Sequence, residues 1–244
     1  MSSDWSSDVC SSDLPSVEQP LLEVKEFVAR PWFEDVSFTV RPGEIVGVAG
    51  LSGSGGDALL RALYGDIEPD SGTVLLDGKR YVPKSPAHAM RRGISYVPGD
   101  RINEGAISQL SVKLNISLSS IPRRGPFINE AREMEVTEAA RKRFSIKTSS
   151  VEANCSSLSG GNLQKVVIAK CLNIQPRLLL LDNPTRGIDV GARSEIYQLI
   201  KELTSQGLAV VMSSEDLVEI IKISHRLIVM KKGAISKVFA ESLR

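Results

Sequence analysis

The sequence predicts an open-sheet α/β fold, on three observations. Short continuous apolar runs, Ile45–Ala49, Leu178–Leu181 and Leu208–Met212, have the length and composition of strands buried on both faces. Helical stretches alternate with them: Ala58–Tyr64 after the first, and a run with Ile196, Leu199, Ile200 and Leu203 on one face after the second. Polar and glycine-rich motifs fall at the carboxyl ends of these strands, where open α/β sheets place ligands.

Residues 1–14 stand apart. Asp4 to Leu14 is polar and repetitive and resembles the in-frame translation of a sequencing adaptor. It is expected to carry no function, with the protein's own sequence beginning near Pro15 and more coding sequence upstream. Leu21–Phe27 and Phe33–Val40 read as strands, the second alternating polar and apolar as a half-buried strand does. Arg41-Pro42-Gly43-Glu44 turns into the first buried strand. After the first helix, Pro69-Asp70-Ser71-Gly72 leads to a strand at Thr73–Leu76, and Asp77-Gly78 makes a hairpin turn toward Tyr81-Val82. Ser85 caps a short helix to Arg92 with Pro86 at its first position. Ile94–Val97 is a strand ended by Pro98-Gly99-Asp100-Arg101. From about residue 107 to 157 strand signals fade, and Asn129–Phe144 sets Val136, Ala140 and Phe144 at helical spacing. This is a small helical insertion without the heptads of a coiled-coil arm. A helix leads from near Asn162 through Leu172, and Leu227–Met230 and Ala234–Val238 flank Lys231-Lys232-Gly233 as a closing hairpin.

The turn Gly50-Leu51-Ser52-Gly53-Ser54-Gly55-Gly56-Asp57 lies between the first buried strand and its helix, the context of a phosphate loop. Glycines let successive backbone N–H groups turn inward as an anion cradle, and the helix N-terminus adds partial positive charge. The usual pattern is G-x-x-x-x-G-K-[ST]. Here Gly50 and Gly55 hold the frame, while Gly56 takes the place of the lysine and Asp57 that of the magnesium-binding hydroxyl. The exchange makes the pocket two units more negative. At about 4 Å and an effective dielectric near 20, each unit acts on a phosphate charge with roughly 4 kcal/mol before solvent and metal screen it. Asp57 offers a direct metal ligand, and Arg61, one turn on, is the nearest cation of the helix.

Leu158-Ser159-Gly160-Gly161-Asn162-Leu163-Gln164-Lys165, one helix, and then Leu178–Asp182 resemble the ATPases of ABC transporters. Leu158–Gly161 matches that family's signature, Leu180-Leu181-Asp182 its Walker B strand and Asp189 its D-loop aspartate. With Gly43–Gly47, Asn183–Ala192 and Ser213-Ser214-Glu215, the resemblance covers about residues 21–240 and is similar to the second, C-terminal ATPase half of bacterial sugar importers of the ribose, galactose and xylose type. It implies a P-loop NTPase-like ABC ATPase domain over residues 15–244: a mixed sheet core, an antiparallel β subdomain and the helical insertion. It implies ATP and Mg2+ as ligands, with Asp182 and Asp57 toward the metal. Two such domains pack head to tail, so Ser159, Gly160 and Gly161, flanked by Leu158 and Asn162, would face a partner's ATP beside Asp189. The partner is expected to be an N-terminal half of the same polypeptide, working with membrane permease subunits and, indirectly, a sugar-binding protein, at the cytoplasmic face of the membrane.

The resemblance also locates departures. Asn183 stands where the family has the glutamate that polarises water, and an amide orients water without taking its proton. Ser214 stands at the switch histidine and Gly99 at the Q-loop glutamine, with Asp100 or Arg101 as partial substitutes. The motifs that complete a partner's site survive, and those that run a local site are eroded. Local hydrolysis is therefore expected to be weak. The alternatives are a nucleotide-binding regulatory module without turnover, or the ATPase of a nucleoside importer.

The bulk composition fits one domain of ordinary size: 244 residues, 42% hydrophobic, net charge +1. Balanced charge argues against nucleic acid as a partner, and Arg123-Arg124 is only a small solvated cluster. No apolar run approaches the roughly 20 residues of a membrane span. Cys10, Cys155 and Cys171 have no metal-site spacing and suit a reduced compartment. His88 and His225 are isolated and read as structural or surface residues.

Overall fold

The computed structural model describes residues 19–239, so the expectations for residues 1–14 and for Cys10 lie outside the described residues. In chain order, β1 (Leu22–Ala29) and β2 (Phe33–Val40) lead to β3 (Ile45–Ala49), α1 (Gly56–Tyr64), β4 (Ser71–Leu76), β5 (Lys79–Tyr81), α2 (Pro86–Arg91) and β6 (Ile94–Val97). A π-helical turn, Arg101–Gly105, precedes α3 (Val112–Ser117), β7 (Arg123–Arg124), β8 (Phe127–Ile128) and α4 (Glu130–Arg143). Then come α5 (Gly160–Leu172), β9 (Leu178–Asp182), α6 (Val190–Ser205), β10 (Ala209–Ser214), α7 (Leu217–Ile223), β11 (Arg226–Lys231) and β12 (Ala234–Phe239).

The central sheet has the order β12-β11-β3-β10-β9-β6, parallel except for β12. β3, β9 and β10 are buried along their whole length, which is why their sequences are continuous apolar runs. Alternate residues of these strands feed two cores. Val46, Val48, Leu178, Leu180 and Val211 pack with α1 against the second sheet, the antiparallel β2-β1-β4-β5. Ile45, Leu179, Leu181, Val210 and Met212 pack with α5, α6, α7 and α3 on the other face. The layers run antiparallel sheet, α1, parallel sheet, helices. Register brings Ser213 beside Asp182 and Ser214 beside Ala49, so the polar ends of three strands lie on one edge.

Three expectations are corrected. α5 starts at Gly160 rather than near Asn162, because Ser159 is its N-cap and accepts the Asn162 N–H at 3.4 Å. The insertion, read as helical, also holds the β7–β8 hairpin around Gly125, whose φ of 62° closes the turn. α7 lay unread behind Ser213-Ser214-Glu215; Asp216 caps it. The Asp77-Gly78 turn has φ of 52° and 68°, the left-handed pair that a two-residue hairpin requires. His88 stacks on Tyr81 at 5.6 Å, and His225 Nδ1 accepts the Ile45 N–H at 2.9 Å.

Arg226 ties the two sheets. Its Nε donates to Glu44 Oε1 at 2.5 Å and its Nη2 donates to the Thr39 carbonyl, while Glu44 Oε2 accepts the Arg41 N–H at 2.8 Å. Truncating the cation leaves a nearly buried carboxylate with only that N–H. Arg226→Ala is therefore expected to lower stability by about 2 kcal/mol, below the fully buried range because the pair is partly solvated. Urea denaturation measures this, and an unchanged midpoint would show that the pair contributes nothing.

Candidate functional site

The glycine loop begins where β3 ends. A Cβ on Gly50 would lie 2.1 Å from Ser54 Oγ, and one on Gly55 2.7 Å from the Trp32 carbonyl, so both positions need a bare backbone. Gly53 and Gly55 have φ of 76° and 99°, which turn the chain back into α1. The Gly233 N–H on the Ser54 carbonyl, at 3.0 Å, fastens the loop to the closing hairpin. Leu51, Ser52 and Gly53 form its exposed crest, and Asp57 is exposed on the first turn of α1.

Facing the loop is one cleft lined by Gly50–Ser54, Gly56, Asp57, Arg61, Gly99, Asp100, Glu104, Asp182, Asn183, Arg186 and Ser213–Glu215. It brings together the loop, the Walker B position and the switch position. It carries five carboxylates, Asp57, Asp100, Glu104, Asp182 and Glu215, against two guanidinium groups, Arg61 and Arg186. Arg61 does not turn to the loop: its Nε donates to Asp66 at 2.7 Å, and its Nη1 lies 3.8 Å from Glu104.

Asp182 is 9% exposed. Its Oδ1 accepts Ser213 Oγ–H at 2.8 Å and Asn183 Nδ2–H at 2.9 Å, and its Oδ2 accepts the Tyr96 hydroxyl at 3.3 Å. Burial first, then the Asp182 charge, push the Tyr96 phenol far above its ordinary range, so it remains a donor. Asn183 has φ of 40°, a backbone that asparagine tolerates well. Its Oδ1 accepts the Glu215 N–H at 3.0 Å, so the amide is fixed at both ends. Ser214 Oγ donates to Glu219 at 2.6 Å and accepts the Asp216 N–H at 3.1 Å, which commits the switch-position hydroxyl away from the cleft. At Gly99 a Cβ would lie 3.0 Å from Asp182 Oδ2, so a glutamine there would press on the carboxylate.

The signature residues lie on a separate surface. Ser159 is exposed and caps α5; its Oγ also accepts Asn162 Nδ2–H at 2.9 Å. The first N–H groups of a helix have no partner within it, so the N–H groups of Gly160 and Gly161 follow the serine as anion donors. A Cβ on Gly161 would lie 2.5 Å from the Ala192 Cβ, so the first turns of α5 and α6 are in direct contact. Asp189 caps α6, accepting the Ala192 N–H at 2.9 Å, and is exposed beside that contact. Leu158 packs on the core from its edge.

Sequence reasoning passed over Tyr96, Glu219 and Trp32, and read Arg101 only as a partial substitute for the Q-loop glutamine. Tyr96 looked like an ordinary strand position and Glu219 fell in a stretch without a motif; only the tertiary structure reveals their partners. Arg101 gave a cue as a cation after Gly99, but its reach to residues 186 and 187 is tertiary. Trp32 is 52% exposed, and its carbonyl lies against Gly55 of the loop.

The charge balance makes a direct prediction. A Cβ at Gly56 would meet Val48 at 3.3 Å and Ser213 at 3.8 Å, so a side chain fits after a small adjustment. Gly56→Lys with Asp57→Thr is expected to raise affinity for Mg-ATP about tenfold or more over the parent chain, read by titration calorimetry. An unchanged affinity would show that the acidic balance does not limit binding.

The chain is similar in sequence and fold to known proteins. Residues 33–186 match the family described as ABC transporter. The chain is 45% identical over 225 residues to a ribose import ATP-binding protein RbsA of Oceanobacillus iheyensis, and 45% identical over 224 residues to that of Bacillus subtilis. Each alignment covers 91% of this chain and 45% of the relative, so the chain spans about half the length of the curated relatives it matches. Among solved structures it superposes on the dimeric ATP-binding cassette MJ0796 bound to ADP and phosphate, with TM-score 0.77, 25% identity and coverage of 91% and 99% of the two chains. The cassette MJ1267 gives TM-score 0.80 at 20% identity, covering 92% of each chain, a likeness of fold. A family match over most of the described cassette, together with relatives at this identity, shows that the chain belongs to the ABC transporter family.

Proposed function

We propose that the chain is the ATP-binding half-subunit of an importer that couples ATP binding and hydrolysis to uptake of a sugar of the ribose class, and that it lends its signature turn to an active partner domain. The observation that carries this reading is the contrast between its two nucleotide-facing surfaces. The cleft holds five carboxylates against two guanidinium groups, with Arg61 turned to Asp66. The other surface exposes Ser159 and Asp189 and keeps the serine hydroxyl and the helix-end backbone donors, with Gly160 half-buried and Gly161 buried behind them. The relatives named as ribose import ATP-binding proteins, about twice as long, support a polypeptide with a second ATPase half.

Within the local cleft, the loop N–H groups cradle phosphate. Mg2+ commonly uses one or two carboxylates with phosphate oxygens and water, and Asp182 with Asp57 meets that need. The ion, when bound, supplies counter-charge to the phosphates. Asn183, held by Asp182 and Glu215, orients a water but accepts no proton from it. Turnover at this cleft is therefore slow.

Permease subunits would dock in the groove between α1, α2 and β6 on one side and the insertion on the other, where Tyr64, Met90, Tyr96, Pro98 and Leu118 give an apolar lining. No described helix is long and apolar enough to cross a membrane. The chain would sit peripherally at the cytoplasmic face, with a sugar-binding protein delivering cargo from the other side.

The test uses the whole assembly with both ATPase halves. Ser159→Ala is expected to lower its ATPase rate about tenfold or more, while Asp182→Asn stays within about threefold of the parent. An unchanged rate in Ser159→Ala would instead mark the chain as a regulatory module without a part in turnover.

A further inference from the structure

Arg101 belongs to the π-helical turn that follows β6, yet its side chain serves two other segments. Its guanidinium donates to the carbonyls of Arg186 at 2.5 Å and Gly187 at 3.1 Å, just ahead of Asp189. It also lies against the first turn of α5, since a Cβ on Gly160 would sit 3.0 Å from its Nη2. The other end of the turn is fixed to the same helix, where the Lys170 ammonium donates to the Gly105 carbonyl. Asp100, immediately before it, lines the phosphate-loop cleft and accepts the Ile102 and Asn103 N–H groups at 3.1 and 3.0 Å.

The placement does not serve stability well. A cation at the N-terminal turn of a helix opposes the helix dipole. Arg101 Nε is buried without a hydrogen-bond partner, a further loss. What the side chain gains is a fork, two parallel donors on successive carbonyls, which only a guanidinium spans in this geometry.

We propose that Arg101 is a positioning residue that joins the lead-in to Asp189 and the signature turn into one rigid surface for the partner's nucleotide. The inference rests on the reading that this chain lends that surface. Arg101 touches no nucleotide of its own; it acts through Ser159, Gly160 and Asp189.

The experiment measures kcat and KM for ATP in the full assembly for the parent, Arg101→Ala, Arg101→Lys, Ser159→Ala and the Arg101→Ala/Ser159→Ala double variant. Arg101→Ala is expected to lower kcat about tenfold with KM within about twofold, and Arg101→Lys to recover less than half of the loss. The double variant is expected to be no slower than Ser159→Ala by more than about twofold, because both act through one surface. Hydrogen exchange in Arg101→Lys, which keeps the charge and folds more readily, should quicken together at residues 160–163 and 187–190 and not along the rest of α5. A parent-like kcat in Arg101→Ala, losses that multiply in the double variant, or unchanged exchange would each overturn the proposal. If Ser159→Ala slows turnover and Arg101→Ala does not, this inference fails alone. If Ser159→Ala has no effect, the lending reading fails and takes the inference with it.

Discussion

Three strands of the central sheet end on one carboxylate, and what holds that carboxylate is neutral. Ser213 from β10, Tyr96 from β6 and Asn183 from the turn after β9 donate to Asp182, and among the described residues no cation does. A carboxylate taken out of water needs donors or a counter-ion. Donors alone satisfy its oxygens but leave its charge, so the cleft remains negative. The neighbouring sequence follows from this. Gly99 passes too near Oδ2 to carry a side chain without displacement. Asn183 supplies an N–H where a glutamate would set a second charge against the first.

Glu219 repeats the arrangement one layer deeper. It is 7% exposed and accepts hydroxyl protons from Thr185, Tyr197 and Ser214. Burial above all, and its bond to Glu219, raise the Tyr197 phenol, so that donor also persists. Through this one group the loop after β9, helix α6, the end of β10 and helix α7 share an anchor. The switch-position hydroxyl is spent on the anchor rather than on the cleft. Between Asp182 and Glu219, residues 183–189 are held at their base, and Arg101 holds their outer carbonyls. The loop that presents Asp189 is thus braced from both sides.

Much of this fold was legible because burial on both faces writes itself into the chain. Ile45–Ala49, Ile94–Val97 and Leu178–Asp182 could be bounded from the sequence, since an apolar run that ends in a polar or turn residue has little freedom to end elsewhere. The caps at Ser85 and Asn129 carry their own local chemistry. The strand order was not legible, because β6 beside β9 and β11 beside β3 are pairings across long stretches of chain. The site divides in the same way. The glycine loop, Asp182 and the signature are motifs of adjacent residues. The Tyr96 and Ser213 bonds to Asp182, the Glu219 anchor and the fork of Arg101 join residues far apart in sequence, and no spacing rule announces them. The helix expected from near Asn162 starts at Gly160 because Ser159 is its cap, and the Asn162 amide serves that cap.

The cleft and the start of α5 rest on different chemistry. A hydrolytic cleft depends on charged and titratable side chains, and Gly56, Asn183 and Ser214 of this cleft are neutral. The donor surface depends on the end of a helix. Its N–H groups exist in any sequence that starts a helix there, and small residues at Gly160 and Gly161 leave room for the Arg101 guanidinium and for α6. Gly161 is constrained by its contact with Ala192, which packing alone preserves. The packing of α5 on α6 therefore fixes the turn at Ser159, whereas nothing in the packing of the described residues requires a cation in the cleft.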